Sequence, residues 1–354
     1  MSDFLYTGLY TTLSSVLSSV PVTLIIPLQV IILLITILIT LHLLFPPTLL
    51  VESLHIYPIK SAAGIQVDSL TLTSKGVKND RQYVVLQRPK DDPNGWEVVT
   101  QRENPRLALL QPKLHEDDSV SVTYSSDPFS FDLTFNPSSE KFKVELFRCF
   151  ITCSIVPGSS SFLLRHFPSK SYSIAYVHVG RDSTLDSKWS DCYLPSESSG
   201  AVDGSQLLLT FTRSLSTLNS SISSPAVKMS NFRPNVVVSS SGFLPSLMKW
   251  EDDHLRSLSL SLVKIRVNKL CHRCVLSTVI QDVGEFDRRL EPLKSLRKIR
   301  YLKDGRFGDR PGNSPGFGVN CSLRGEGGVV KVGDGGRGEW GWTKRCNWRN
   351  VGGN

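Results

Sequence analysis

Gln82-Tyr83-Val84-Val85-Leu86 is a short run of aromatic, β-branched and aliphatic side chains, and runs of this kind decide the fold class. Similar ones recur at residues 54–59, 69–73, 96–100, 107–110 and 120–124, parted by turn residues such as Lys-Asp-Asp-Pro-Asn-Gly at 90–95. Strands this short, spaced about a dozen residues apart, predict a β-barrel or sandwich over residues 51–180. A second β-rich unit is predicted over 203–334, with strands at 207–211 and 235–238 and one long strand at 258–267. A short helix at 214–220 and a basic helical stretch at 289–300 complete it. Residues 157–161 and 181–205 read as surface loops, and 163–166 as part of a short helix. The segment 335–354 is rich in glycine and tryptophan without strand or helix period, which predicts a disordered tail.

The chain has 354 residues, room for two domains with their own cores. Apolar residues make up 40% and charged residues 20%, which excludes disorder throughout. Forty Lys and Arg against 32 Asp and Glu leave +8, suited to an anionic ligand or membrane surface. The positive charges form no blocks, so the chain is not read as a nucleic-acid binder. Seven cysteines at irregular spacing argue for a reducing compartment with working thiols rather than a disulfide scaffold.

Behind an N-terminal tail (1–21), residues 22–45 read VTLIIPLQVIILLITILITLHLLF with no formal charge. At about 1.5 Å per residue this exceeds the ~30 Å hydrocarbon core, so a single transmembrane helix is predicted. A cleaved signal peptide is the alternative, but residues 1–21 lack the positive charges it needs. Asp3 precedes the span, whereas Lys60, Lys75, Lys78 and Arg81 follow it, which places the body in the cytosol.

Three constellations can carry chemistry. Cys271-His272-Arg273-Cys274 suits half a zinc site, a redox dithiol, or one thiolate for a softer metal, unless the cysteines are structural. Arg273 and His272 flank the thiol, and neighbouring cations favour thiolate. The other close pair, Cys149 and Cys153, lies in an apolar run that reads as packed core. Asn231-Phe232-Arg233-Pro234-Asn235 places a guanidinium and an amide two residues apart, on one face of a strand. That arrangement suits a planar heterocycle or a phosphate, or else an Arg–carboxylate pair with a turn Asn. Tyr57-Pro58-Ile59-Lys60-Ser61, with Asn79-Asp80-Arg81, can orient a phosphate dianion or simply place cations on a barrel rim. No phosphate-loop, HExxH or GxSxG pattern is present, and the seven histidines form no ligand pairs.

In order, YPIKS (57–61), NDRQYVVL (79–86), TQRENPRLALLQP (100–112), NFRPNVVV (231–238), CHRCVLSTV (271–279) and KVGD (331–334) resemble MOSC-domain proteins. The first β unit resembles the MOSC N-terminal β-barrel domain, and the anchored layout resembles the mitochondrial amidoxime reducing component family. The resemblance implies a mainly β fold of two barrel-like domains (51–180 and 203–334) behind one transmembrane helix. It implies a molybdenum cofactor whose metal is ligated by Cys274, with Cys271 a nearby non-ligand. Arg233, Asn235 and Arg273 would line the pterin, Lys60, Ser61 and Arg81 would hold the phosphate, and Thr210 would sit near the cofactor. The implied activity is reduction of small N-hydroxylated compounds, with electrons from a cytochrome b5-type donor and its NADH reductase. The implied location is the outer mitochondrial membrane, with the endoplasmic reticulum as the alternative. A second function is a non-catalytic cofactor or sulfur carrier, like the C-terminal domain of molybdenum cofactor sulfurases. Those proteins also carry a pyridoxal-phosphate domain, for which this chain has no room. A zinc-stapled structural protein is the third. Two departures stand out: the acidic residue after the CxRC motif is displaced to Asp282, and the closing strand after Asp334 is replaced by Gly335-Gly336-Arg337-Gly338.

Overall fold

The computed structural model describes residues 22–44, 48–89, 91–92, 95–125, 127–136, 138–182, 192–193, 198–223, 225–242, 249–300 and 315–341. The described chain is mainly β, with strands numbered in chain order. One sheet closes into a barrel in the order β16 (Val236–Ser241), β15 (Leu207–Phe211), β21 (Gly316–Arg324), β18 (Val263–His272), β17 (Leu255–Leu260), β23 (Gly335–Trp340) and β1 (Thr48–Ile56). β1 pairs back to β16 to complete the ring, and β2 (Ile65–Val67) hangs on β1. Alternate residues point inward, so Leu54 and Ile56 meet Leu209, Phe211, Val236, Val238, Ile265 and Val319 in one buried cluster.

The N-terminal unit is a nearly closed arrangement of two sheets. One runs β10 (Phe142–Leu146), β11 (Cys149–Ile155), β12 (Tyr172–Val179), β5 (Tyr83–Gln87), β6 (Glu97–Val99). The other is β7 (Leu110–Leu114), β8 (Val120–Tyr124), β9 (Asp127–Asp132). Val85 and Ile174 pack with Leu110, Val122 and Phe162 on one face of β5, while Val84 and Leu86 pack with Ile151 and Ala175 on the other. Burial on both faces explains why Tyr83–Leu86 is an unbroken apolar run rather than an alternating one. Cys149 and Cys153 are buried in β11.

A small sheet joins β3 (Ser69–Thr73) to β4 (Gly76–Val77) and β22 (Gly328–Lys331). Two short ladders pair β13 (Arg181–Asp182) with β14 (Ser198–Ser199), and β19 (Val279–Ile280) with β20 (Glu285–Phe286). Helices α2 (Ser159–His166), α3 (Thr212–Asn219) and α4 (Leu293–Ile299) are short. The predicted loop at 157–161 thus opens α2.

Four expectations are corrected. The strand predicted near 54–59 is β1, and it completes the second barrel, not the first. The predicted strand at 258–267 is a hairpin: Ser261 takes φ 50°, Leu262 stands 97% exposed, and β17 and β18 run antiparallel on either side. The Ser261-Leu262 loop holds a lone serine and no Gly, Pro, Asn or Asp, a weak turn signal inside an apolar run, so the sequence hid the reversal. Residues 107–110 are largely a 3₁₀ turn (Pro105–Leu109) capped by Asn104. Most consequential, Gly335–Trp340 is an ordered strand bridging β17 and β1. A Cβ at Gly336 would lie 2.4 Å from the Ser259 carbonyl oxygen, so glycine permits the approach that closes the barrel. The rest of the expected tail, 342–354, lies outside the described residues, as does 1–21.

Upstream, α1 (Val22–Leu44) is a separate unit containing Pro27. Side chains along it are described for residues 27–41 and 44. Among the described residues no helix is long and apolar enough to cross a membrane.

Candidate functional site

A cavity of ≈ 390 Å³ opens where the turns of the N-terminal sheets meet the end of the closed barrel. Lys60, Ser61, Arg81, Arg233, Asn235, Arg273 and Cys274 all line it, although they come from sequence stretches up to 214 residues apart (60 to 274). The pattern of placement is consistent. Each lies outside the named strands and within four residues of a strand end. Ser61, Arg81 and Arg233 adopt φ of 69°, 50° and 55°, conformations that cost a non-glycine residue energy and cluster at functional sites.

Thr210 is the exception. It is fully buried on β15, its hydroxyl donates to Met229 Sδ at 3.4 Å, and it does not line the cavity. Leu208, one pleat earlier on the same face, takes that place. Thr210 instead packs behind Gly318, whose φ is +72° and whose Cβ would meet Thr210 Cγ2 at 2.7 Å.

A buried polar network fixes the two-residue Arg233–Asn235 pair. Asn235 Oδ1 accepts from the Leu208 amide at 3.1 Å and from Arg81 Nη1 at 3.2 Å. Asn235 Nδ2 donates to the His55 carbonyl at 3.2 Å and to Asp80 Oδ1 at 3.1 Å. Asp80 also pairs with Arg81 and accepts from the Tyr57 amide. The guanidinium groups of Arg81 and Arg233 lie 4.5 and 4.4 Å from the Tyr57 ring centroid. Burial pushes the Tyr57 phenol up to about 12 despite those two cations, so it remains a donor, to the Pro234 carbonyl. Burial lowers Arg233 to about 10, and its Nη1 donates to the Ala62 carbonyl at 2.5 Å.

Among the described residues, six cationic side chains (Lys60, Arg81, Arg102, Arg233, Lys269 and Arg273) line the cavity against a single carboxylate, Asp203. Burial lowers Lys60 to about 8, a fall only partly offset by Asp203, which it contacts along with the Ala201 carbonyl. Close packing opposes ionisation of Asp203, yet Lys60 and Arg102 outweigh it and hold its pKa well below the usual carboxylate range. The Asp203 side chain nonetheless keeps 47% of its exposure.

Cys274 is exposed, immediately beyond β18. The cation that reaches its sulfur is neither Arg273 nor His272. Arg273 is turned away, donating to the carbonyls of Phe317 (2.6 and 2.9 Å) and Phe232 (3.0 Å). Instead Arg102 Nε donates to Cys274 Sγ at 3.2 Å, and Arg102 Nη2 reaches Asp203 at 3.3 Å. Arg102 sits in the turn after β6, inside TQRENP; a fixed turn with a conspicuous arginine was the only sequence signal. Asp203 was hidden in a segment read as loop. Cys271 lines the same cavity, half-buried. Asp282 is at the surface, paired with Lys228.

Among the described residues no three His, Cys, Asp or Glu side chains gather into a metal site. A metal held here would take one protein sulfur and the rest of its ligands from a cofactor. The donor set suits a molybdenum cofactor in that respect: the exposed thiol of Cys274 for a soft metal, beside the half-buried Cys271, and clustered cations with an oriented amide for an anionic pterin phosphate.

Comparison with known proteins gives the same outline. Residues 48–153 match the MOSC N-terminal beta barrel domain and residues 196–335 the MOSC domain. The chain is 30% identical to the mitochondrial amidoxime reducing component 2 of Macaca fascicularis, over 80% of this chain and 82% of that one. It is 26% identical to the human mitochondrial amidoxime-reducing component 1, over 80% and 81%. It is 24% identical to a molybdenum cofactor sulfurase of Botryotinia fuckeliana, over 81% of this chain but only 41% of that protein.

Proposed function

The chain belongs to the MOSC-domain family, with that family's N-terminal β-barrel domain in front, and on that premise we propose that it is a molybdenum-cofactor-dependent oxidoreductase reducing small N-hydroxylated compounds. The observation that carries the reading is the single exposed thiol of Cys274 in a cavity dominated by cations. An amidoxime plus two electrons and two protons gives the amidine and water. When bound, the cofactor supplies the two-electron, oxygen-accepting chemistry.

The chain's own residues supply the setting. Cys274 Sγ would be the protein ligand, and the cationic donor Arg102 Nε holds it by a hydrogen bond at 3.2 Å. Lys60, Ser61 and Arg81 would hold the phosphate, while Arg233, Asn235 and Arg273 would line the pterin. The network of Asp80, Tyr57 and Asn235 orients these groups before the ligand arrives, so little ordering remains to oppose binding. Electrons come from a cytochrome b5-type protein and its NADH reductase. The uncharged sequence at 22–45 and the mitochondrial names of the relatives support a single-pass anchor in the outer mitochondrial membrane with the body in the cytosol. Protease cleavage of the body on intact mitochondria tests that placement; a protected body contradicts it.

Similarity to a molybdenum cofactor sulfurase favours one other reading, a non-catalytic cofactor or sulfur carrier. The test is NADH oxidation by the molybdenum-loaded chain with cytochrome b5 and its reductase, on addition of benzamidoxime. Substrate-dependent oxidation supports the reductase; bound molybdenum without it supports the carrier.

A further inference from the structure

Among the described residues, two phenylalanine rings line the cavity, and they differ in what they can offer a ligand. Phe232 is 1% exposed and stacks on Phe317 at 3.7 Å, so its faces are already used. Phe147 is only half-buried. It sits at the tip of the hairpin joining β10 and β11, where it and Arg148 adopt φ of 50° and 64°. Two consecutive left-handed residues without glycine are a strained way to build a tight turn.

Its neighbours leave part of the ring exposed. It packs against the buried cluster of Val84, Leu86 and Ile151 in the N-terminal sheets. Lys60 Nζ, Arg102 and Arg181 approach its centroid to 5.1, 5.4 and 5.8 Å. Arg102 is also the residue that touches Cys274 Sγ, so a single side chain separates the ring from the sulfur. Cations near a π face draw on its electron density, which favours stacking with an electron-rich flat partner.

We propose that Phe147 is a specificity-determining residue that selects N-hydroxylated substrates carrying a flat conjugated group over saturated ones of equal size, by stacking beside Cys274. This rests on the reductase reading only for its kinetic arm. Benzamidoxime and cyclohexanecarboxamidoxime share the reacting group and differ in flatness, so their comparison isolates the ring. On the full-length holoenzyme, wild type is expected to favour benzamidoxime in kcat/KM, mainly through KM. Phe147→Leu is expected to reduce that ratio about 3- to 10-fold, the scale of one aromatic pair. Phe147→Tyr, which keeps the ring, is expected to retain it and guards against misfolding of the leucine variant. Calorimetric binding of the same two compounds to the same proteins gives the second readout. Equal affinity for both compounds in wild type, or an unchanged ratio in Phe147→Leu, overturns the proposal. Preferential binding of benzamidoxime without turnover upholds it while removing the reductase reading.

Discussion

Replacing Lys60 with methionine is expected to stabilise the cofactor-free protein while removing its affinity for an anion. The Lys60 side chain is 5% exposed, and its pKa falls from 10.5 to about 8 even with the Asp203 pair counted. At about 1.4 kcal/mol per pH unit that fall is worth about 3 kcal/mol against folding of the empty protein. Below about pH 8 the amine is charged in both states and the whole cost applies. Between about 8 and 10.5 the unfolded chain holds a proton that the native state has released, so stability rises with pH. Methionine preserves most of the aliphatic stem. Loss of the ammonium leaves Asp203 half exposed and still bonded to Arg102, so no isolated buried charge remains. Urea denaturation of the cofactor-free protein at pH 7 and pH 10 measures both effects. The expected results are a gain of about 1–3 kcal/mol at pH 7 for Lys60→Met and a flatter rise toward pH 10. A loss of stability at pH 7, or an unchanged pH dependence, refutes the argument that Lys60 is held against its own solvation to receive an anion.

Cys274→Ser is expected to abolish benzamidoxime reduction while changing stability by no more than about 0.5 kcal/mol, because the side chain is exposed; steady-state kinetics and urea denaturation check it. Gly336→Val places a Cβ 2.4 Å from the Ser259 carbonyl oxygen and is expected to cost more than about 2 kcal/mol, read from a lowered urea midpoint. Glu251 is fully buried, and burial raises its carboxyl pKa despite the Ser240 hydrogen bond and Arg213. Its native state therefore takes up a proton before the unfolded chain does, and its contribution to stability grows as pH falls through that raised pKa toward 4.5, the ordinary value. Glu251→Gln is expected to flatten the part of the pH–stability curve that lies above pH 4.5, the ordinary value for a glutamate, measured by denaturant unfolding.

The strand runs were legible because apolar stretches such as Tyr83–Gln87 are short and bounded by turns. The fold class followed from those runs, but the pairing did not. β1 closes the second barrel through β16, nearly two hundred residues away, and hydrophobic pattern carries no record of such partners. β23 escaped because glycine has no side chain to alternate, although its absence is what lets the strand approach β17. At the site, the expected site residues converge on one cavity with the exception of Thr210, which shares a face with Leu208 but lies deeper. Arg102, Asp203 and Phe147 were not singled out. They lie in turns and loops, where identity alone does not say which way a side chain points.

Elemental analysis of the full-length chain, produced where molybdenum cofactor is made, bears most directly on the central claim. The account predicts about one molybdenum per chain with matching pterin, and a marked loss of both in Arg233→Glu, which reverses a charge on the cavity wall. Zinc in place of molybdenum, or molybdenum indifferent to that charge reversal, contradicts it.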